Sequence, residues 1–240
     1  MAVTKTAAQA INEVYLRATG KVSNFTITDT KGVKILALLN HFQDEWAEED
    51  WTSMYTLFTL ADAVTATDTF ALLPAIHHIS EQEGDFVRIN HTDGVRETPY
   101  TVVKITKLYN DGPIVRAGGN LIANAAGTVA QKGQNLIFSR AFVATDPQFG
   151  GSIKVPGYAK PATLSANTDV LSVDNPKWLI ARVAAEYVRN DVTRVQLYDS
   201  LLGEAGQEWD KMKAANNVVQ SDEVYTGGWN PMPGVGGAFD

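Results

Sequence analysis

The sequence predicts an α+β protein: a helical bundle built from the N- and C-terminal helices, a β-rich insertion between them, and an extended C-terminal arm. Three observations carry this expectation. Apolar residues recur at three- and four-residue spacing mainly near the two ends of the chain. The middle is cut into short β-branched and aromatic runs by glycine-containing turn signals. The last 24 residues, Asn217 to Asp240, hold five glycines and two prolines but no Lys or Arg. The expected boundaries are 1–50 and 174–216 for the bundle, 51–173 for the insertion and 217–240 for the arm.

The first helix is expected over Thr6 to Thr19, where Ala7, Ile11, Val14, Tyr15 and Ala18 share a face and Gly20 stands at the C-cap. A second helix starts near Asp29 or Thr30, both good N-cap residues. Its inward stripe is Ile35, Leu38, Leu39, Phe42 and Trp46. It ends in an acidic run, Asp44, Glu45, Glu48, Glu49 and Asp50, with no base between them. Acid at a helix C-terminus opposes the macrodipole, so the run is either well solvated or faces a basic partner.

Strands are expected at Met54 to Leu60, Phe86 to Asn90, Leu121 to Ala123, Gln134 to Phe138 and Gly151 to Val155. Turns are expected at Asp93-Gly94, Asp111-Gly112, Gly118-Gly119 and Gly150-Gly151. Thr98-Pro99, followed by Tyr100, Val103, Lys107 and Leu108, reads as a helix with Pro at its first position. Asn175-Pro176 opens another, with Trp178, Leu179, Val183, Ala184 and Tyr187 on its apolar face. Asn190, Asp191 and Thr193 interrupt the pattern before Tyr198, Leu201, Ala205, Trp209 and Met212 resume it. Gly203 and Gly206 weaken that last stretch by about 1 kcal/mol each. The bundle core is expected to contain Ile35, Leu39, Phe42, Trp46, Trp178 and Tyr187.

The composition narrows the function. The 240 residues carry 20 Lys plus Arg against 27 Asp plus Glu, a net charge of −7. That argues against a general nucleic-acid binder, although a local basic stripe stays open. With no cysteine there is no disulfide framework, thiolate metal site or cysteine nucleophile. No apolar run approaches the length of a membrane span, and no signal-peptide core follows the N-terminus, so a cytoplasmic origin is expected.

Catalytic patterns are missing. No Gly-x-Ser-x-Gly elbow or phosphate loop occurs. His77 and His78 are adjacent, so in a regular strand they point to opposite faces. His41 with Asp44 and Glu45 has a ligand-like spacing that is common on solvated helices. Trp51, Tyr55, Phe58, Tyr100 and Tyr109 offer a rival reading as a carbohydrate-binding surface, with core packing the more ordinary role. No enzyme activity, metal or cofactor is expected.

Two stretches carry a resemblance. One is Ile35-Leu36-Ala37-Leu38-Leu39-Asn40 with Trp51 after an acidic spacer. The other runs from Val170 through Asp174-Asn175-Pro176-Lys177-Trp178-Leu179-Ile180 to Ala184-Ala185-Glu186-Tyr187, with Tyr198 and Trp209 beyond. In layout the chain resembles the head-to-tail connector (adaptor) proteins of tailed bacteriophages, of the podovirus tail-tubular and gatekeeper type. The resemblance implies a structural virion protein of the neck, assembled in the host cytoplasm. Its subunits would form a ring, a dodecamer in that family, beneath the portal protein. The ring would meet a tail or nozzle protein and continue a DNA channel without sequence-specific binding, and no membrane would be involved. The portal-docking arm would use Val224, Tyr225, Trp229, Pro231 and Met232, because aromatic and Met anchors dominate such interfaces. The alternatives are a tail-completion or terminator protein, and a virion-associated carbohydrate-binding or hydrolytic module.

Overall fold

A computed structural model describes residues 4–82, 85–110 and 127–226. The helices are α1 (Ala7–Thr19), α2 (Thr30–Trp46), α3 (Ile105–Asn110), α4 (Pro176–Val188) and α5 (Val195–Thr226). The strands are β1 (Tyr55–Ala63), β2 (Thr69–Ala71), β3 (Ile76–Ile79), β4 (Phe86–Asn90), β5 (Glu97–Val102), β6 (Thr128–Lys132), β7 (Asn135–Phe138) and β8 (Ser152–Ala159). The chain forms two compact units, Met1–Phe42 with Leu164–Asp240, and Gln43–Thr163.

The helical unit is held by local capping and by long-range ties. Thr6 and Gln9 form a reciprocal capping box at the start of α1, and Gly20 closes the helix in the left-handed region at φ 71°. The chain before α1 is fixed by a bridge between Thr6 and Val170 and by the Ala7 amide donating to the Asp169 carbonyl at 2.7 Å. Asn175 caps α4 by accepting from the Lys177 amide, with Pro176 next to it. The Asn175 amide also donates to Glu208 on α5 at 2.6 Å. Trp178 and Trp209 lie 4.8 Å apart between the same two helices. Arg17 of α1 reaches Glu204 of α5 at 2.6 Å.

The second unit corrects the expected fold class. Its middle is a mixed sheet of eight strands, nearly closed and barrel-like, in the order β1-β8-β4-β5-β6-β7-β2 with β3 also on β8. The chain is therefore a mixed α/β protein, with five α-helices among the described residues, not a helical bundle carrying a β insertion. The sheet encloses a core of its own, including Leu60, Phe70, Ile89, Tyr100, Leu136, Phe138, Phe142, Ile153 and Val155. Four of these are aromatic and meet edge-on or tilted: the Phe138 ring is 4.8 Å from Tyr100, 5.1 Å from Phe142 and 5.7 Å from Phe70. Local runs mark where strands lie. They do not reveal that Tyr55 pairs with Tyr158, and that long-range pairing turns separate strands into one sheet.

β8 is the spine of this sheet. β1 runs along one edge of it; β4 and then β3 share the other. Pro156 falls at the handover, after Lys154 has paired with β4 and before Gly157 pairs with β3, so its missing N–H costs little. Gly157 lets β3 approach, because a Cβ there would lie 2.7 Å from the His78 carbonyl oxygen. Between β4 and β5, Gly94 turns at φ 69°. Asp93 accepts from the Val95 and Arg96 amides in the same turn, and those bonds hold its carboxyl far below the usual range.

Two local expectations change, at Thr98-Pro99 and at the start of the arm, and the expected break after α4 is present. The segment at Thr98-Pro99 is strand β5, not a helix start; the helix α3 begins only at Ile105. Its β-branched residues favour the pleated conformation. Pro99 is tolerated because its nitrogen points the same way as that of Thr101, which donates to Gly127, and β6 has not yet begun beside Pro99. After α4 the break is a short 3-10 turn capped by Asp191, and α5 then runs unbroken through Gly203 and Gly206 to Thr226. The first ten residues of the expected extended arm are therefore helical. The expected strand at Leu121 to Ala123 and the turns at Asp111-Gly112 and Gly118-Gly119 lie outside the described residues. Among the described residues, no helix is long and apolar enough to cross a membrane.

Candidate functional site

The most distinctive surface of the helical unit is a seam of cations laid on aromatic rings. It starts where the loop after α1 packs on α2. Asp29 accepts from the Thr26 amide at 2.6 Å and from its hydroxyl at 2.9 Å. Gly32 lies so near the Thr26 carbonyl that a Cβ would sit 1.9 Å from it. This fixes the first turns of α2 and aims Lys31 and Lys34. The Lys31 ammonium donates to the Tyr15 hydroxyl at 3.0 Å and lies 4.8 Å above that ring and 5.7 Å from the Phe25 ring. Lys34 stands 5.1 Å over Tyr187, which is 6.3 Å from Tyr15. Arg182 of α4 lies 4.6 Å over Phe42.

The rings orient these cations without neutralising them. Among the described residues, none of the three forms an ion pair. The hydrogen bond from Lys31 lowers the Tyr15 hydroxyl below its ordinary value, and the same bond raises Lys31. Such a seam presents fixed positive charge to an anionic surface.

The acidic run lies in the other unit. Asp44, Glu45 and Glu48 are exposed and form no ion pair among the described residues. Asp50 is engaged by His78 Nε2 at 2.8 Å. That contact belongs to a chain of groups that alternation along a strand would forbid. His77 and His78 do not point apart: their Nδ1 atoms are 2.9 Å from each other. The register shifts between Ile76 and His78, so His77 is the extra residue of a bulge and breaks the alternation. The His78 ring also stacks on Tyr158 at 4.8 Å. Burial lowers His77 below the ordinary imidazole value, with His78 adding to this and Glu48 and Asp44 opposing it. Among the described residues, no group of three or more His, Cys, Asp or Glu is placed to hold a metal ion.

The sequence-selected residues fall as follows. Ile35, Leu39, Phe42 and Trp178 are buried in the helical unit, and Tyr187 is half-buried under Lys34. Trp46 is buried in the second unit, where it stacks on Trp51 at 5.5 Å. Val224 and Tyr225 lie in the last turn of α5; Trp229, Pro231 and Met232 lie outside the described residues. The rival aromatic set is not one exposed platform, since Trp51 and Tyr100 are buried. Sequence reasoning missed Lys31, Lys34 and Arg182. The available signal was Lys31 and Lys34 in the first turns of α2, where the macrodipole disfavours them. No protein-family model matches the chain, and no curated protein matches it.

Proposed function

We propose that this chain is a subunit of a head-to-tail adaptor: a structural ring that joins a phage portal to the tail and continues the DNA channel. The observation that carries the reading is α5. This helix has 32 residues, yet along 195–217 only Leu201, Ala205 and Met212 are buried. The stripe they form is narrow, and the other residues of 195–217 are exposed or half-exposed. Gly203 and Gly206 lie inside it with nothing within 4 Å of where a Cβ would stand. Helix-interior glycines cost about 1 kcal/mol each against alanine, and no contact within the described chain calls for them. Neighbouring subunits that close on such a helix supply both the missing burial and the reason for small residues. The absence of cysteine suits assembly in a reducing compartment.

Light scattering behind size exclusion, with negative-stain microscopy, tests this for the chain alone and mixed with a portal ring. The expected result is a monomer or mixed population alone and rings on the portal. A tight small oligomer that ignores the portal overturns the reading. Removing 227–240 is expected to leave the helical content intact and abolish portal capture, because the candidate anchors Trp229, Pro231 and Met232 go with it.

A further inference from the structure

The charges of α2 oppose its own dipole at both ends. Lys31 and Lys34 stand in its first turns, Asp44 and Glu45 in its last. Each of these charges is unfavourable where it sits. The basic seam of Lys31, Lys34 and Arg182 has no carboxylate against it, and Asp44, Glu45 and Glu48 have no cation against them, among the described residues.

We propose that these two sets are the halves of one contact between successive copies of this chain. The Lys31–Lys34–Arg182 seam of one copy receives the Asp44–Glu45–Glu48 end of the next. This rests on the ring reading above and names the subunit contact within it. Under the ring reading each copy gives its seam to one neighbour and its acidic end to the other, so the contact is heterologous and repeats head to tail; a closed rotation makes it a ring. Like charges disfavour a two-fold axis through either patch, whereas a reciprocal dimer that pairs both patches closes at two copies and gives no longer species on trapping. Carboxylates from a neighbour at the start of α2 also reverse its unfavourable interaction with the dipole. The rings beneath Lys31, Lys34 and Arg182 hold the cations in place before contact, which reduces the entropy lost on docking. A DNA phosphate backbone is the competing polyanion. It is disfavoured by the net charge of −7 and by the acidic end of the same helix.

The cysteine-free sequence gives disulfide trapping an empty background. The Lys34→Cys/Glu45→Cys double variant is oxidised where light scattering first shows an oligomer, alone or on a portal ring. A ladder of covalent dimers, trimers and longer species is expected on a denaturing gel. A mixture of the two single variants is expected to stop at dimers, and each single variant alone to stay monomeric. Charge reversal supplies the second arm. Lys31→Glu/Lys34→Glu and Asp44→Lys/Glu45→Lys/Glu48→Lys are each expected to raise the midpoint concentration for assembly by about tenfold or more. Mixing the two variants is expected to restore it, because each then meets its complement. Circular dichroism checks that both fold.

Rings by microscopy without a ladder overturn this contact and leave the ring reading standing. Dimers from a single-cysteine variant, or a double variant that stops at dimers, overturn its head-to-tail geometry. Loss of binding to a double-stranded DNA fragment in Lys31→Glu/Lys34→Glu, with assembly unchanged, assigns the seam to nucleic acid and overturns the proposal. No oligomer under any condition, alone or with portal, overturns both.

Discussion

Replacing Gly203 and Gly206 of α5 by alanine should stabilise the isolated chain. Both positions are exposed and helical, and the space a Cβ would fill is open for 4 Å. Alanine therefore adds no clash and removes the backbone entropy that a helix-interior glycine loses on folding. The expected gain is about 1 kcal/mol per site and about 2 kcal/mol for both. Read as local opening of α5, 2 kcal/mol slows amide exchange about 30-fold, since each 1.4 kcal/mol is a factor of about ten. The assay is hydrogen exchange read on peptides spanning Tyr198 to Met212, at a dilution where scattering gives a monomer. Unchanged or faster exchange refutes the reasoning: the space is then filled in solution, or α5 does not limit opening there. The same double variant should assemble less well, because a methyl group at a close helix–helix contact forces the neighbour away.

Two further predictions concern the second unit. Phe138→Ala removes the ring at the centre of the Tyr100, Phe70 and Phe142 cluster and leaves a cavity; guanidinium unfolding should show a loss of about 3–5 kcal/mol, and a loss below about 1 kcal/mol would mean that the cluster is not close-packed. His77 is held below the ordinary imidazole value, so the unfolded chain binds its proton first as pH falls. Stability should therefore drop as pH passes down through about 6.5 and level off below the folded value of His77. His77→Gln should flatten that part of the profile, with His78, Asp50, Glu48, Asp44 and Lys160 still facing the site; parallel curves for the two proteins would remove His77 as the cause.

Local chemistry was legible wherever a single residue carries its own instruction. Gly20 past the end of α1 and Asn175-Pro176 at the start of α4 can be read without knowing the fold, because capping is settled within one turn. Phe86 to Asn90 and the Asp93-Gly94 turn were legible for the same reason. The architecture was not, because it depends on partners distant in sequence. β8 is flanked by β1, β3 and β4, and nothing in Ser152 to Ala159 names them. β2, with three residues, is too short for a period of two to stand out. Pro99 misled because the same residue suits a helix start and a strand edge, and only the late beginning of β6 decides between them. The bulge at His77 escaped because alternation assumes a regular strand.

The candidate surface was hidden for a different reason. Lys31 and Lys34 look like ordinary solvated lysines until Tyr15 and Tyr187, far away in sequence, arrive beneath them. What the sequence did contain was a local conflict. Three helix ends obey the rules: a capping box on α1, a left-handed glycine after it, Asn with Pro on α4. α2 instead carries base at its start and acid at its end, and α5 carries two interior glycines in open space. A chain that is locally consistent elsewhere concentrates its conflicts where another requirement acts. The two conflicts are separable by experiment because they lie on different helices. If the glycine variants weaken assembly and the charge reversals do not, the subunit contact runs along α5 and the charges of α2 serve another partner. If both weaken it, and only the charge reversals are restored by mixing, α2 sets the direction of the contact and α5 its closeness.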